Sequence, residues 1–99
     1  MSKQKLLITG VTGYVGSHIL LNLFKSPSSY AKNLKIIGTC RSLQNVLRVT
    51  QFNDAVQPFN QNNVDFELGD ADMTADPTCF NDYVKDSDYV IHTACPFMN

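Results

Sequence analysis

The stretch Lys5–Gly16, KLLITGVTGYVG, places three glycines within seven residues, between a short apolar run and a helix-like segment. Glycine is favoured where a chain turns sharply or where another group must approach the backbone closely. Lys5–Thr9 reads as a buried parallel strand, apolar and bounded by glycine. From Gly13 onward Val15, Ile19, Leu20, Leu23 and Phe24 recur at helical spacing, and Ser26–Pro27 stops the helix. Strand, glycine turn and helix N-terminus in succession form the unit that cradles a dinucleotide pyrophosphate. In that unit Gly10 makes the tight turn, Gly13 admits the pyrophosphate to the main chain, and Gly16 lets the helix lie close on the sheet. The first helical N–H groups, around Tyr14 and Val15, then point at the phosphates with the helix dipole behind them. The competing reading is a purely geometric turn.

The rest of the chain repeats the alternation of strand and helix, a context that favours the dinucleotide reading over the bare turn. Leu34–Cys40, LKIIGTC, reads as a second strand after the loop SPSSYAKN. Leu43, Val46, Leu47 and Thr50 predict an amphipathic second helix that fades into the polar segment QPFNQNN. Val64–Leu68 alternates Val64, Phe66 and Leu68 against Asp65 and Glu67, a third strand. Phe80, Tyr83 and Val84 mark a short third helix, expected to begin near Asp76–Pro77, where Asp can cap and Pro can occupy the first turn. Tyr89–Ala94, YVIHTA, reads as a fourth strand. The order β-α-β-α-β-α-β implies an α/β fold: a Rossmann-type parallel sheet with right-handed crossovers and helices on both faces. The fourth strand is apolar enough to require cover on both faces and a neighbour on each side. Residues 1–99 are therefore expected to be the N-terminal part of a larger domain.

Composition excludes several classes. With 43% hydrophobic and 17% charged residues the chain is neither disordered nor membrane-embedded, and it has no run of eighteen apolar residues. A cytoplasmic location follows as the default, in the absence of a signal-peptide apolar region. Residues 1–48 carry seven of the eight Lys/Arg and no acid, whereas residues 49–99 carry all nine Asp/Glu. That split favours an anionic ligand near the glycine turn, or else is an accident of composition. Basic residues are not clustered with aromatics, so a nucleic-acid partner is not expected. Cys40, Cys79 and Cys95 are widely spaced, which argues against a disulfide framework and a zinc site and for buried thiols in a reducing compartment.

The run TGVTGYVG, with Thr9 and Thr12 beside its glycines, resembles the glycine turn of the extended short-chain dehydrogenase/reductase family (the NAD-dependent epimerase/dehydratase superfamily). Three further stretches are similar to that family in the right order: GTCRS at Gly38–Ser42, GDADMTAD at Gly69–Asp76 and DYVIHTACPF at Asp88–Phe97. The last is similar to the branch of dihydroflavonol, cinnamoyl-CoA and methylglyoxal reductases. The resemblance implies an NADP-dependent oxidoreductase acting on a carbonyl or CH–OH group of a small molecule. It implies cofactor contacts from Thr9, Gly10, Thr12, Gly13, Tyr14, Val15 and Gly16, and from Thr93, Ala94 and Cys95 beside the nicotinamide ribose. Cys95 departs from the Ser or Thr more usual there, as a small filler or a redox-sensitive thiol. Asp72 and Met73 match the family's adenine-edge pair, although Asp70 and Ala71 can be aligned instead. His92 takes a structural place in the fourth strand, and His18 is given no chemistry.

The cofactor choice rests on the end of the second strand. An NAD site places Asp or Glu there for the ribose hydroxyls. This chain reads Thr39, Cys40, Arg41, Ser42, with no acid before Asp54. A carboxylate repels a 2′-phosphate whereas a guanidinium grips it, so Arg41 and Ser42 point to NADP(H), with NAD(H) the lesser alternative. The family's catalytic Tyr-x-x-x-Lys pair does not occur: four residues after Tyr14, Tyr30, Tyr83 and Tyr89 stand His18, Leu34, Ser87 and Thr93. No catalytic residue is assigned to this chain. A non-catalytic nucleotide-binding or redox-sensing module, and an NAD-linked sugar epimerase or dehydratase, are the alternative functions.

Overall fold

The computed structural model describes residues 3–25, 33–41, 43–44, 46–73 and 75–93. Four strands, β1 (Gln4–Thr9), β2 (Leu34–Cys40), β3 (Asp65–Asp70) and β4 (Tyr89–His92), alternate with helices α1 (Tyr14–Lys25), α2 (Val46–Val56) and α3 (Asn81–Lys85). A 3₁₀ turn, Gln57–Phe59, extends α2. The strands form one sheet in the order β3-β2-β1-β4, and every pairing is parallel. The α/β reading of the sequence is therefore correct.

Side-chain alternation along the strands divides the sheet into two faces. Leu6 and Ile8 of β1 and Leu34 and Ile36 of β2 join Leu20 and Phe24 of α1, and Val56 and Val64, in one buried cluster. Phe24 packs edge-on against Phe66 of β3, ring centroids 5.7 Å apart. The opposite face takes α3: Tyr83 lies against Gly69, where an added Cβ would stand 2.9 Å from its ring atoms. Helices thus cover both faces, and Leu7, on the α3 face, is fully buried as well.

Three details differ from the expectations. Leu43 and Leu47 do not form the buried stripe of α2; they are 37% and 69% exposed. The helix starts at Val46 and turns Phe52 and Val56 to the core instead, with Val49 half-buried one turn before Phe52. The side chain of Val46 lies outside the described part. The third helix starts at Asn81, not near Asp76–Pro77. Asp76 does cap, but it caps a turn: its Oδ1 accepts from the Thr78 amide at 2.9 Å and the Thr78 hydroxyl at 2.8 Å. Strand β4, expected to be covered, exposes Tyr89, Val90 and His92, and among the described residues it pairs with β1 alone.

Candidate functional site

The carboxyl ends of all four parallel strands lie along one edge of the sheet, and the sequence candidates follow those ends. Chain connections leave β1 towards β2 and β3 on one side, then return past β1 to β4 on the other. The carboxyl end between β1 and β4 is therefore the topological switch point, where such sheets leave a crevice.

The turn out of β1 is built by glycine geometry. Gly10 has φ 71°, the left-handed region that costs a residue with a Cβ about 1 kcal/mol or more. Its N–H donates to Thr39 Oγ1 at 3.1 Å, and the Val11 N–H donates to the Thr39 carbonyl at 2.9 Å. The Gly13 N–H closes the turn on the Gly10 carbonyl at 3.0 Å. Helix α1 then begins at Tyr14, so the N–H groups of its first residues have no acceptor within the helix. Thr12, Gly13, Tyr14 and Val15 are exposed around that terminus. Gly16 is buried, and a Cβ there would collide with the Gly10 carbonyl oxygen and stand 2.9 Å from Val11 Cα. The close packing expected of Gly16 is thus present, but against the turn itself. Tyr14 stacks over His18, centroids 4.5 Å apart. His18 Nδ1 lies 2.8 Å from the Tyr14 carbonyl, which can only accept, so that nitrogen carries the proton.

At the end of β2, Thr39 and Cys40 are buried and Arg41 is exposed. At the end of β3, Asp70 is still in the sheet, paired with Cys40, and its carbonyl accepts from the Tyr83 hydroxyl at 2.9 Å. Asp72 lies beyond the strand with Met73, both half-buried, and its carbonyl starts the following turn by accepting from Ala75 and Asp76. At the end of β4, the Thr93 hydroxyl donates to the Thr9 carbonyl at 2.6 Å. The fold brings Thr9, Gly10, Thr12, Gly13, Tyr14, Val15, Gly16, Arg41, Asp72, Met73 and Thr93 to this one edge; Ser42, Ala94 and Cys95 lie outside the described residues.

Thr39 was not foreseen. Its hydroxyl and carbonyl hold the first two residues of the turn, and its one sequence signal is a polar residue near the end of an otherwise apolar strand. The basic half of the sequence also distributes differently from the expectation. Lys3 pairs with Asp65 at 3.7 Å and Lys35 with Glu67 at 3.5 Å, near the opposite edge, and Lys25 lies over the Phe59 ring. Arg41 is the cation that follows a strand directly at the site edge.

Titration of the neighbours is set by burial and charge. Burial pushes the Cys79 thiol up, with Asp76 and Asp72 adding to the rise, so this half-buried thiol is not an activated thiolate. Burial, expected of all three thiols, holds for Cys40 but not for Cys79, which is only half-buried; Cys95 lies outside the described residues. Burial likewise raises the Tyr83 hydroxyl, reinforced by Asp70. The Thr78 hydroxyl, followed by its amide, holds Asp76 below its ordinary value. Among the described residues, no group of three or more His, Cys, Asp or Glu could hold a metal ion, and no helix is long and apolar enough to cross a membrane.

No model of a known protein family matches the chain. A protein of the fission yeast Schizosaccharomyces pombe, described as an uncharacterized oxidoreductase, is 28% identical over 97 residues, covering 98% of this chain and 25% of its own length. The chain spans about a quarter of that relative, and over nearly all of its own length it is similar to an oxidoreductase.

Proposed function

We propose that this chain forms the cofactor-binding part of an NADP-dependent oxidoreductase of the aldehyde or ketone reductase type. The observation that carries the reading is the glycine turn Gly10–Gly13, exposed at Thr12 and Gly13, with the N-terminus of α1, on the same sheet edge as Arg41, and with no acid between Arg41 and Asp54. The residues fit a dinucleotide. Gly13 is exposed and without a Cβ where a pyrophosphate would approach, and the first amides of α1 are free of intrahelical acceptors. Arg41 would hold the 2′-phosphate with Ser42, Asp72 and Met73 would border the adenine, and Thr93 with Ala94 and Cys95 would flank the nicotinamide ribose. Bound there, the cofactor supplies the hydride, exchanged with a CH–OH or carbonyl carbon of a small molecule. The yeast relative's description as an oxidoreductase supports this class of chemistry. The protein acts in the cytoplasm on this reading.

The test is cofactor affinity in Arg41→Ala. Loss of a charged hydrogen-bonding group weakens NADPH binding by about 1–3 kcal/mol, roughly 5- to 150-fold. NADH affinity stays nearly unchanged. Equal losses for both cofactors would remove the 2′-phosphate role and favour an NAD-linked epimerase or dehydratase. Binding of neither cofactor by the wild type would remove the dinucleotide reading itself.

A further inference from the structure

The end of β1 is held from β4 by contacts that no local sequence pattern reveals. Thr9 is 1% exposed, and its Oγ1 lies 2.6 Å from His92 Nδ1. The Thr93 N–H is shared between the same Oγ1 at 3.1 Å and the Thr9 carbonyl at 3.2 Å. With the His92 proton on Nε2, one chain satisfies both contacts: the Thr93 N–H donates to the Thr9 hydroxyl, and that hydroxyl donates to His92 Nδ1. The imidazole is oriented in turn by Phe80, whose ring it meets edge-on at 5.7 Å and 79°. Beyond Thr9 the next residue is Gly10, whose N–H is held by Thr39 Oγ1 and whose carbonyl lies 3.3 Å from the Thr93 hydroxyl.

We infer that His92 is a positioning residue for the glycine turn, acting through the Thr9 hydroxyl that lies against its Nδ1. Fixing Thr9 fixes the peptide that leads into Gly10, where the left-handed backbone opens the turn. The Gly10 carbonyl then meets the Gly13 N–H and abuts Gly16, so a shift of Thr9 is carried into the start of α1. A plain staple between β1 and β4 would instead act on both strands along their length. The consequence for cofactor affinity, though not the positioning itself, rests on the dinucleotide reading.

Amide hydrogen exchange in the cofactor-free protein separates the two roles. His92→Phe keeps an aromatic edge for Phe80 and removes Nδ1. The Val11 and Gly13 amides of this variant exchange about tenfold faster, while those of Leu7 and Ile8 inside β1 keep their wild-type rates. His92→Asn, which offers an amide oxygen in place of Nδ1, restores the slow rates. In a Thr9→Val background His92→Phe adds nothing further, because the hydroxyl it acts through is gone. Unchanged turn exchange in His92→Phe overturns the proposal. So does an equal acceleration in the Thr9→Val background, or an acceleration of Leu7 and Ile8 that matches the turn. NADPH titration of the same variants then follows the turn, weakening in His92→Phe and recovering in His92→Asn. A wild type that binds no NADPH refutes the dinucleotide reading alone, and the exchange rates still judge the positioning role.

Discussion

Gly13 and Gly16 stand three residues apart, and alanine at each should fail in a different way. Gly16 lies in the first turn of α1, where replacement by alanine would by propensity alone stabilise the helix by about 1 kcal/mol. Its Cβ, however, would be driven into the Gly10 carbonyl oxygen and would come within 2.9 Å of both the Gly10 carbonyl carbon and Val11 Cα. These are backbone atoms of a hydrogen-bonded turn, so no side-chain rotation relieves the overlap. Overpacking costs about 1–3 kcal/mol, and the upper end applies where backbone must move. The net loss is about 2 kcal/mol, which lowers Tm by roughly 8–16 °C for a domain of this size. The Cβ of Gly13→Ala would meet one atom, the Gly10 carbonyl oxygen at 3.3 Å, from an exposed position. Its Tm should stay within about 4 °C of wild type, as for surface changes of 0.5 kcal/mol or less, while NADPH affinity falls at least tenfold on the proposed reading. Thermal unfolding followed by circular dichroism, with NADPH titration alongside, measures both. A Gly16→Ala protein that melts at or above wild type would refute the claim that α1 is pressed onto the turn.

Other perturbations probe separate parts of the fold. Thr39→Val leaves the Gly10 N–H without its acceptor and costs about 1–3 kcal/mol, read by denaturant unfolding; an unchanged midpoint would show that the hydroxyl is dispensable. Phe24→Ala removes a ring that is 1% exposed and packed edge-on to Phe66, with an expected loss of about 3–5 kcal/mol in the same assay. Tyr83 tests the alkaline limb of stability. Its pKa is raised in the fold by burial, so its contribution is complete below the unfolded tyrosine value near 10 and is lost as pH rises through the folded value. Tyr83→Phe should flatten the fall of Tm above about pH 10, and an unaltered alkaline limb would assign that fall to other groups.

How much was legible in the sequence depended on the range of the interaction. The Leu34–Cys40 strand has the same bounds in the structure, and the order of elements is correct, because apolar runs separated by glycine and polar segments are local signals. The start of the third helix was misplaced by local chemistry with two uses. An Asp that accepts N–H bonds two residues on, followed by Pro, serves a helix cap and a tight turn alike, and here Asp76 and Thr78 make the turn. The face of α2 was misread for a related reason. Leu43, Leu47 and Thr50 share helical spacing, but so do Val49, Phe52 and Val56, and only the position of the sheet decides between the two stripes.

The candidate site divides along the same line. Its glycines were legible because backbone conformation and close packing restrict residue type strongly at Gly10 and Gly16. The groups that hold those glycines in place were not. Thr39 reaches Gly10 across 29 residues, and His92 reaches Thr9 across 83. A threonine or histidine at a strand end is compatible with many neighbours, so its type alone says nothing of its partner. The turn is therefore specified twice, by glycines that permit its shape and by the Thr39 hydroxyl of β2 and the His92 imidazole of β4 that select it. Substitutions of the first kind should strain the fold. Those of the second should leave the strands intact and loosen the turn, and that difference is what hydrogen exchange at Val11 and Gly13 reads.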